Sequence, residues 1–280
     1  MRAALKYVAK LTLGLLPPRW GSAILFRYRL GRWPSRASSS FSDKIHFYKM
    51  DRRYERMPQL ADKVAVKEFV AGRLGREWVI PNLFVGKALP PRADRKWVPP
   101  YVIKTNNNSG TNIFIRQISD VNWDKIEKRL YRFLQDRHPK ISNEWPYYYI
   151  EPMILVEKML GEEPPVDYKI FVFYGKAKLI QVDTDRFTEH KRAFFDIDWS
   201  RLPFSLEFPL ETRPIERPVT LDRMIDAAEK LAEGLPFVRV DFYEVDGRPY
   251  FGEMTFFPGS GTERFHPLEW DHRIGMMFVK

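Results

Sequence analysis

Phe237-Val-Arg-Val-Asp-Phe-Tyr243 and Tyr250-Phe-Gly-Glu-Met-Thr-Phe-Phe257 lie on either side of Asp246-Gly247. Val238, Val240 and Phe242 alternate with Arg239, Asp241 and Tyr243. That period of two puts Arg239 and Asp241 on one face of a strand. Asp-Gly supplies a hairpin turn, and on the return strand Phe251, Glu253 and Thr255 are expected to share a face. A carboxylate from each strand of one hairpin can hold a hard cation such as magnesium. An arginine beside them can stabilise charge on a reacting phosphate. The plain alternative is the solvated outer face of an edge hairpin, where mixed charges are ordinary, and the stretch alone does not choose.

A second stretch has phosphate-binding residue types. Tyr101-Val-Ile-Lys104 runs into Thr105-Asn-Asn-Asn-Ser-Gly-Thr111, and Ile113-Phe-Ile115 resumes an extended run. Amides of Ser, Gly and Thr can wrap phosphate oxygens, with a lysine reaching them from the entering strand. The Gly-Lys-Ser/Thr order of a Walker loop is missing, and such a loop taken alone is most often a turn. The 280 residues contain no cysteine, which excludes disulfides, thiolate catalysis and cysteine metal sites. The five histidines show no metal-ligand spacing.

The elements that must position these residues mix helices and hairpins. Residues 59–70 suit one amphipathic helix capped near Asp62, with apolar positions at 60, 64, 66, 69 and 70. Asp43 to Tyr54 is expected to be helical. Trp78–Ile80 and Tyr147–Ile150 are expected to be extended. Asp120–Arg137 reads as a helix, and Met153–Glu157 as a strand. Tyr168–Tyr174 and Ala177–Val182 form a hairpin about Gly175. Thr220 is the expected N-cap of a helix to Gly234 that leads into Phe237. Asp183–Arg192 is dense in charge, and its plain reading is a solvated loop. This order favours an antiparallel α+β class. Residues 1–42 stand apart as a basic, apolar arm with a serine-rich linker at 35–42. Its apolar runs are too short to cross a bilayer. It suits either an anionic membrane surface or a helix against the main body.

Placed in order, Asp62-Lys63, Val102-Ile-Lys104 with the Asn/Ser/Gly loop, Ile154-Leu-Val-Glu157-Lys-Met-Leu-Gly161-Glu162, Asp167-Tyr-Lys169, Arg239-Val-Asp241 and Glu253-Met-Thr with Pro258-Gly-Ser-Gly261 resemble the ATP-grasp superfamily. More narrowly, residues 43–270 look like its TupA-like branch, the teichuronopeptide-biosynthesis type among capsule and exopolysaccharide enzymes. The resemblance implies two α+β lobes clasping ATP between antiparallel sheets. It divides the chain into the arm (1–42), a helical, substrate-side region (43–100), a small lobe (101–160) and a C-terminal lobe with the metal site (161–280). It implies that Lys63, Lys104 and the loop Asn107, Asn108, Ser109 and Gly110 contact nucleotide phosphate. Glu157, Lys158 and Met159 would form the hinge whose backbone reads adenine, and Glu162 would touch ribose. Asp241 and Glu253 would bind magnesium. Thr255 stands where many relatives have asparagine, a better ligand. Arg239 would hold the transferred phosphate, Gly259, Ser260 and Gly261 would receive the acceptor, and Lys169 and Arg186 would meet an anionic group.

The implied activity is that of an ATP- and magnesium-dependent carboxylate–amine ligase working through an acyl phosphate. By family context, its partners are an anionic sugar or glycan and an amine, in the cytoplasm or at the inner face of the membrane through residues 1–40. The formal charge of +10 agrees with an anionic partner. Two rivals stay open: an ATP-grasp phosphotransferase acting on a sugar, and a non-catalytic glycan-binding component at the membrane surface. Nucleic-acid binding is set aside, because no base-stacking motif is present. The oligomeric state is left open.

Overall fold

The computed structural model describes residues 16–108, 110–135, 142–161, 163–186 and 188–278. Helix α1 (Pro18–Leu30) starts on a proline and ends at Gly31, whose φ of 77° is left-handed. Phe26 anchors it: the side chain is fully buried, with its ring edge-on to His46 at 5.3 Å. Of the two readings of the arm, residues 18–30 therefore follow the one against the body. The apolar run at 11–15 lies outside the described residues. Helix α2 (Phe41–Tyr48) is shorter than expected and is capped by Ser40 of the linker. Ser40 Oγ accepts the Asp43 amide at 3.1 Å.

The single helix expected over 59–70 is two, α3 (Met57–Ala61) and α4 (Ala65–Leu74). Asp62 breaks it. Its ψ is 116°, and its Oδ1 accepts from the Val64 amide at 2.8 Å and from Asn106 Nδ2 at 3.0 Å. A short acidic side chain offers its own backbone a partner that competes with the helix. The break presents Lys63 to the sheets.

A four-stranded antiparallel sheet of β1 (Asn82–Gly86), β2 (Tyr101–Thr105), β3 (Ile113–Ile115) and β4 (Ile154–Lys158) has the order β1-β4-β2-β3. Trp78 instead ends a 3-10 turn, with a lone bridge at Val79, and Trp145–Tyr148 is another such turn rather than extended chain. Tyr101, Ile103, Ile154 and Val156 bury one face against Ile126 and Leu130 of α5 (Trp123–Leu134). Register pairs Val102 with Glu157 and Lys104 with Leu155 on the other face.

The larger sheet holds β5 (Asp167–Phe173), β6 (Lys176–Thr184), β7 (Lys191–Phe195), β8 (Arg201–Leu202), β10 (Phe237–Val245) and β11 (Arg248–Thr255), in the order β11-β10-β5-β6-β7-β8. A two-stranded ribbon pairs β9 (Ser205–Leu206) with β12 (Phe265–His266). Ile170, Val172, Val238, Val240 and Phe242 bury with Leu221, Met224 and Leu231 of α6 (Leu221–Leu231). Thr220 stands at the N-cap of that helix as expected, but its hydroxyl binds Glu244 rather than a helix amide. Phe41 of α2 packs on Phe171, Phe173 and Phe237, at the far end of the opposite face. Helix α7 (Glu269–Met276) binds α2 through Asp271, which accepts the Ser42 amide at 2.8 Å.

The hairpin forms as expected about Asp246-Gly247, both residues at positive φ. Its faces differ from the expectation. Asp241 pairs with Glu253 but Phe242 pairs with Phe251, so Gly252 is an extra residue. Phe251 thereby joins Phe242 on the apolar face instead of sharing the face of Glu253 and Thr255. A Cβ at Gly252 would sit 3.0 Å from the Asp241 carbonyl oxygen, a contact only glycine tolerates comfortably.

Candidate functional site

One face of the large sheet carries a chain of buried charges. Lys169 Nζ stands 3.0 Å from Asp241 Oδ2, 3.1 Å from Asp167 Oδ2 and 3.6 Å from Asp183 Oδ2. Arg239 grips Asp241 with Nε to Oδ1 and Nη2 to Oδ2, both at 2.7 Å, and its Nη2 also donates to Thr255 Oγ1 at 3.1 Å. Burial pushes the Asp241 carboxyl upward against the pull of Arg239 and Lys169. Burial acts likewise on Glu253, but there Lys63, Arg239, Lys169 and Arg186 outweigh it and lower the carboxyl to about 2. Glu253 is therefore a carboxylate at neutral pH.

Between the two sheets lies a cavity of about 470 Å³. Val102, Lys104 and Glu157 face it from the small sheet, and Asp183, Arg186 and Tyr243 from the large one, with Met159 and Leu160 beside them. Glu157 is buried and bound by both Lys104 and Lys67. Burial would raise its carboxyl; the two ammonium groups hold it below its ordinary range. Lys67 also donates to the Ile80 carbonyl at 2.8 Å.

A second cavity, also of about 470 Å³, opens over the hairpin. Arg239, Glu253 and Thr255 line it with Asn107, Glu144 and Ser260. Arg186 lines both cavities. The loop at 259–261 is unusual backbone, with Gly259, Ser260 and Gly261 all at positive φ. The buried Lys49 holds it, donating to the Ser260 carbonyl at 2.8 Å, while Ser260 Oγ binds Glu144. Burial lowers Lys49 to about 8.

The chain matches the TupA-like ATP-grasp family over residues 43–279. It belongs to that family. The ATP-grasp fold accounts for its two antiparallel sheets with helices, an α+β architecture. Among solved structures it is similar to an L-amino acid ligase from Bacillus licheniformis, at 13% identity and a TM-score of 0.43, over 72% of this chain and 44% of that one. It is also similar to a D-alanine–D-alanine ligase from Bacillus anthracis complexed with ATP, at 15% identity and a TM-score of 0.41, over 71% and 55%. A third is the ATP-grasp ligase PsnB complexed with a phosphomimetic precursor variant, Mg and ADP, at 12% identity and 0.40, over 72% and 50%. The chain spans about half the length of these proteins. No curated protein matches it.

The ATP-grasp chain brings most of the expected residues to one of the two cavities. Lys104, Glu157, Lys158, Met159 and Arg186 line the first. Asn107, Asn108, Arg239, Glu253, Thr255, Gly259 and Ser260 line the second. Lys63 joins them, donating to the Asn108 carbonyl at 2.8 Å and standing 3.6 Å from Glu253. Others differ from the expectation. Lys169 is buried among three aspartates and lines neither cavity, so its charge meets protein carboxylates rather than an anionic ligand. The Met159 amide donates to the Pro100 carbonyl at 3.2 Å and is not free to read an adenine edge. Gly261 packs against Ile45, where a Cβ would come within 2.8 Å, and Gly110 is exposed and lines neither cavity. Ser109 and Glu162 lie outside the described residues.

Among the described residues, no group of three carboxylates or histidines could hold a metal alone. Magnesium does not require one: it takes one or two carboxylates and completes its shell with phosphate oxygens and water. Glu253 fits this, with its oxygens 3.6 Å from Lys63 and from Arg239, beyond hydrogen-bond reach. The side-chain oxygen of Asn107 is buried in the same cavity without a partner among the described residues. Asp241 would join only by releasing Arg239 or Lys169.

Sequence reasoning missed Glu144, Tyr147, Asp183 and Lys67. Asp183 sat in a charge run read as a solvated loop, yet it is buried and pairs with Arg192 Nε at 3.1 Å. The alternation of β6 with the apolar Ile180 and Val182 was the signal that it faced Lys169. No sequence signal marked Lys67 or Glu144.

Proposed function

We propose that the chain is an ATP-dependent carboxylate–amine ligase that joins an acidic sugar to an amino acid or amine in capsule or exopolysaccharide synthesis. The observation that carries the reading is the pair of cavities meeting at Arg186. One has the partly apolar walls and hinge strand that suit a nucleotide, and the other has Arg239, Glu253 and the Gly259-Ser260 loop that suit an anionic reacting group.

In the first step a carboxylate oxygen attacks the γ-phosphorus of ATP, the bond to ADP breaks, and an acyl phosphate forms. The amine nitrogen then attacks the acyl carbon, phosphate leaves, and the nitrogen loses a proton. Arg239 and Arg186 supply fixed positive charge along the path of the phosphoryl group. Lys104 serves the same end from the small sheet, with Glu157 and Lys67 fixing its position. Glu253 and Asn107 would hold magnesium, whose charge neutralises phosphate oxygens when bound. The Gly259-Ser260 loop, braced by Lys49 and Glu144, seats the acceptor. No nucleophilic side chain is required.

The test is an ADP-release assay with uronic-acid sugars and amino acids, paired with product mass. ADP and free phosphate appearing only when both carboxylate and amine are present supports the ligase. Phosphate retained on the acceptor would sink it in favour of phosphotransfer. No thermal shift with Mg-ATP would favour a non-catalytic component.

The same proposal places the chain in the cytoplasm, at the inner face of the membrane. No helix among the described residues is long and apolar enough to cross a bilayer. Exposed Trp20 and Trp33, beside Arg19 and Arg36, suit contact with an anionic surface. Sedimentation with anionic against neutral vesicles checks it.

A further inference from the structure

Helix α1 precedes the part of the chain that matches the family, yet Leu25 and Arg29 on it line the second cavity. Arg29 also lines a third cavity of about 470 Å³, together with Tyr28, Glu207, Arg264 and His266. The two cavities thus share one arginine in their walls. Burial of Phe26 fixes the helix that carries it. The far wall of the third cavity is the β9–β12 ribbon, where the Glu207 amide donates to the Arg264 carbonyl at 2.9 Å.

The chemistry of the third cavity is specific. Arg29 pairs with Glu207, and Arg264 Nε donates to the Arg29 carbonyl at 2.8 Å. That bond aims the Arg264 guanidinium and leaves both of its terminal nitrogens without a partner among the described residues. A planar guanidinium with two free nitrogens matches a carboxylate. Tyr28 lines the same cavity and is 76% exposed. An open aromatic face next to a carboxylate fork suits a ring with an apolar C–H face and an acidic substituent.

We propose that the second and third cavities form one site for an extended acidic saccharide. The reacting carboxylate lies beside Arg239 and Ser260. The carboxylate of a neighbouring sugar unit lies on the free nitrogens of Arg264, with its ring on Tyr28. This rests on the ligase reading for the reacting end only; the remote end is a binding site in its own right. The acceptor is then an oligomer rather than a free monosaccharide, and α1 is the element that measures its length.

The experiment is isothermal titration of the full chain with trigalacturonate and with galacturonate, in the presence of Mg-ADP. The trimer should bind at least about tenfold more tightly than the monomer. Arg264→Gln should bring the trimer to within about twofold of the monomer, and the exposed Tyr28→Ala should weaken the trimer severalfold. A Mg-ADP thermal shift equal to wild type confirms that each variant is folded. Equal binding of trimer and monomer by the wild-type chain overturns the proposal. So does trimer binding that neither variant changes. Triglutamate binding as tightly as the trimer, with no loss on Tyr28→Ala, overturns the saccharide assignment. Trimer selectivity in a chain with no nucleotide response sinks the ligase reading and sustains the saccharide site, so the two failures are distinguishable.

Discussion

Asp241 and Glu253 face each other across one hairpin, and sequence alone makes Asp241→Asn and Glu253→Gln equivalent: each trades a metal-ligand charge for an isostere. Their surroundings separate them. Asp241 is fully enclosed and compensates Arg239 and Lys169. Removing one partner from a buried ion pair costs on the order of 3 kcal/mol or more. Glu253 is half-buried and, among the described residues, its carboxylate makes no polar contact closer than its 3.6 Å ion pairs. Both variants should lose turnover, and Asp241→Asn, which leaves Arg239 and Lys169 uncompensated, should lower the melting temperature by roughly 6 °C or more. Differential scanning calorimetry checks it, and an unchanged melting temperature in Asp241→Asn would contradict the network. The depressed carboxyl of Glu253 adds a pH test. Its folded value of about 2 lies below its ordinary 4.5. It therefore contributes stability that is fully present above 4.5 and is lost as pH falls from there through about 2. Melting temperature against pH should be flatter for Glu253→Gln than for wild type across that window, and parallel curves would refute the assignment. The Arg, Asp, Glu and Thr of this hairpin were legible in sequence because alternation is a strong signal. The enclosure of Lys169 by three aspartates was not, because it is set by strand order, which joins β5 to both β10 and β6.

The elements were legible in proportion to how local their causes are. Helices α5 and α6 and the hairpin of β10 and β11 follow from periodicity and turn chemistry inside each segment. The break at Asp62 depends in part on Asn106, which lies far along the chain. The Gly252 bulge inserts one residue, and a strict period of two cannot see it. Strand β1 has five residues without clean alternation and forms because β4 offers it an edge. Helix α1 was an arm with two readings, and one contact decides its described part: Phe26 against His46. His46 is buried, and that burial, with Lys49 nearby, lowers the imidazole from 6.5 to about 4. A depressed histidine contributes stability that is present above 6.5 and is lost as pH falls toward 4. Ser22 Oγ lies 3.4 Å from its Nδ1 on the same helix, so protonation puts charge under α1. Amide hydrogen exchange in residues 18–30 should speed up between pH 6.5 and 4, after correction for intrinsic rates, before the sheets open. Exchange there that stays in step with the sheets would refute it. Because α1 lines the second cavity, acceptor affinity should fall over the same window.

At the scale of the molecule the two sheets share no strand, and each has its own apolar cluster. Two packed bodies joined by a few segments can move as rigid units about those segments. The first cavity lies on that seam, and each body brings charges of both signs to its walls: Lys104 and Glu157 from the small sheet's side, Asp183 and Arg186 from the large one's. Lys63 crosses the seam between the Asn108 carbonyl and Glu253. A ligand with several negative charges placed on the seam would be bound by Lys63, Lys104 and Arg186 together, and so would favour the arrangement in which they converge. Its differential affinity for that arrangement is what shifts the population. Mg-ATP should therefore protect the amides of residues 105–112 and 158–161 from exchange, while strands β5 and β10, already enclosed, change little. Lys63→Ala should weaken the protection at 105–112 more than it weakens protection of the hinge strand, since it removes the crossing contact and leaves Lys104 in place. Protection confined to the hinge strand in the wild-type chain would mean that nucleotide binds without drawing the sheets together, and the role given to Lys63 would fail with it.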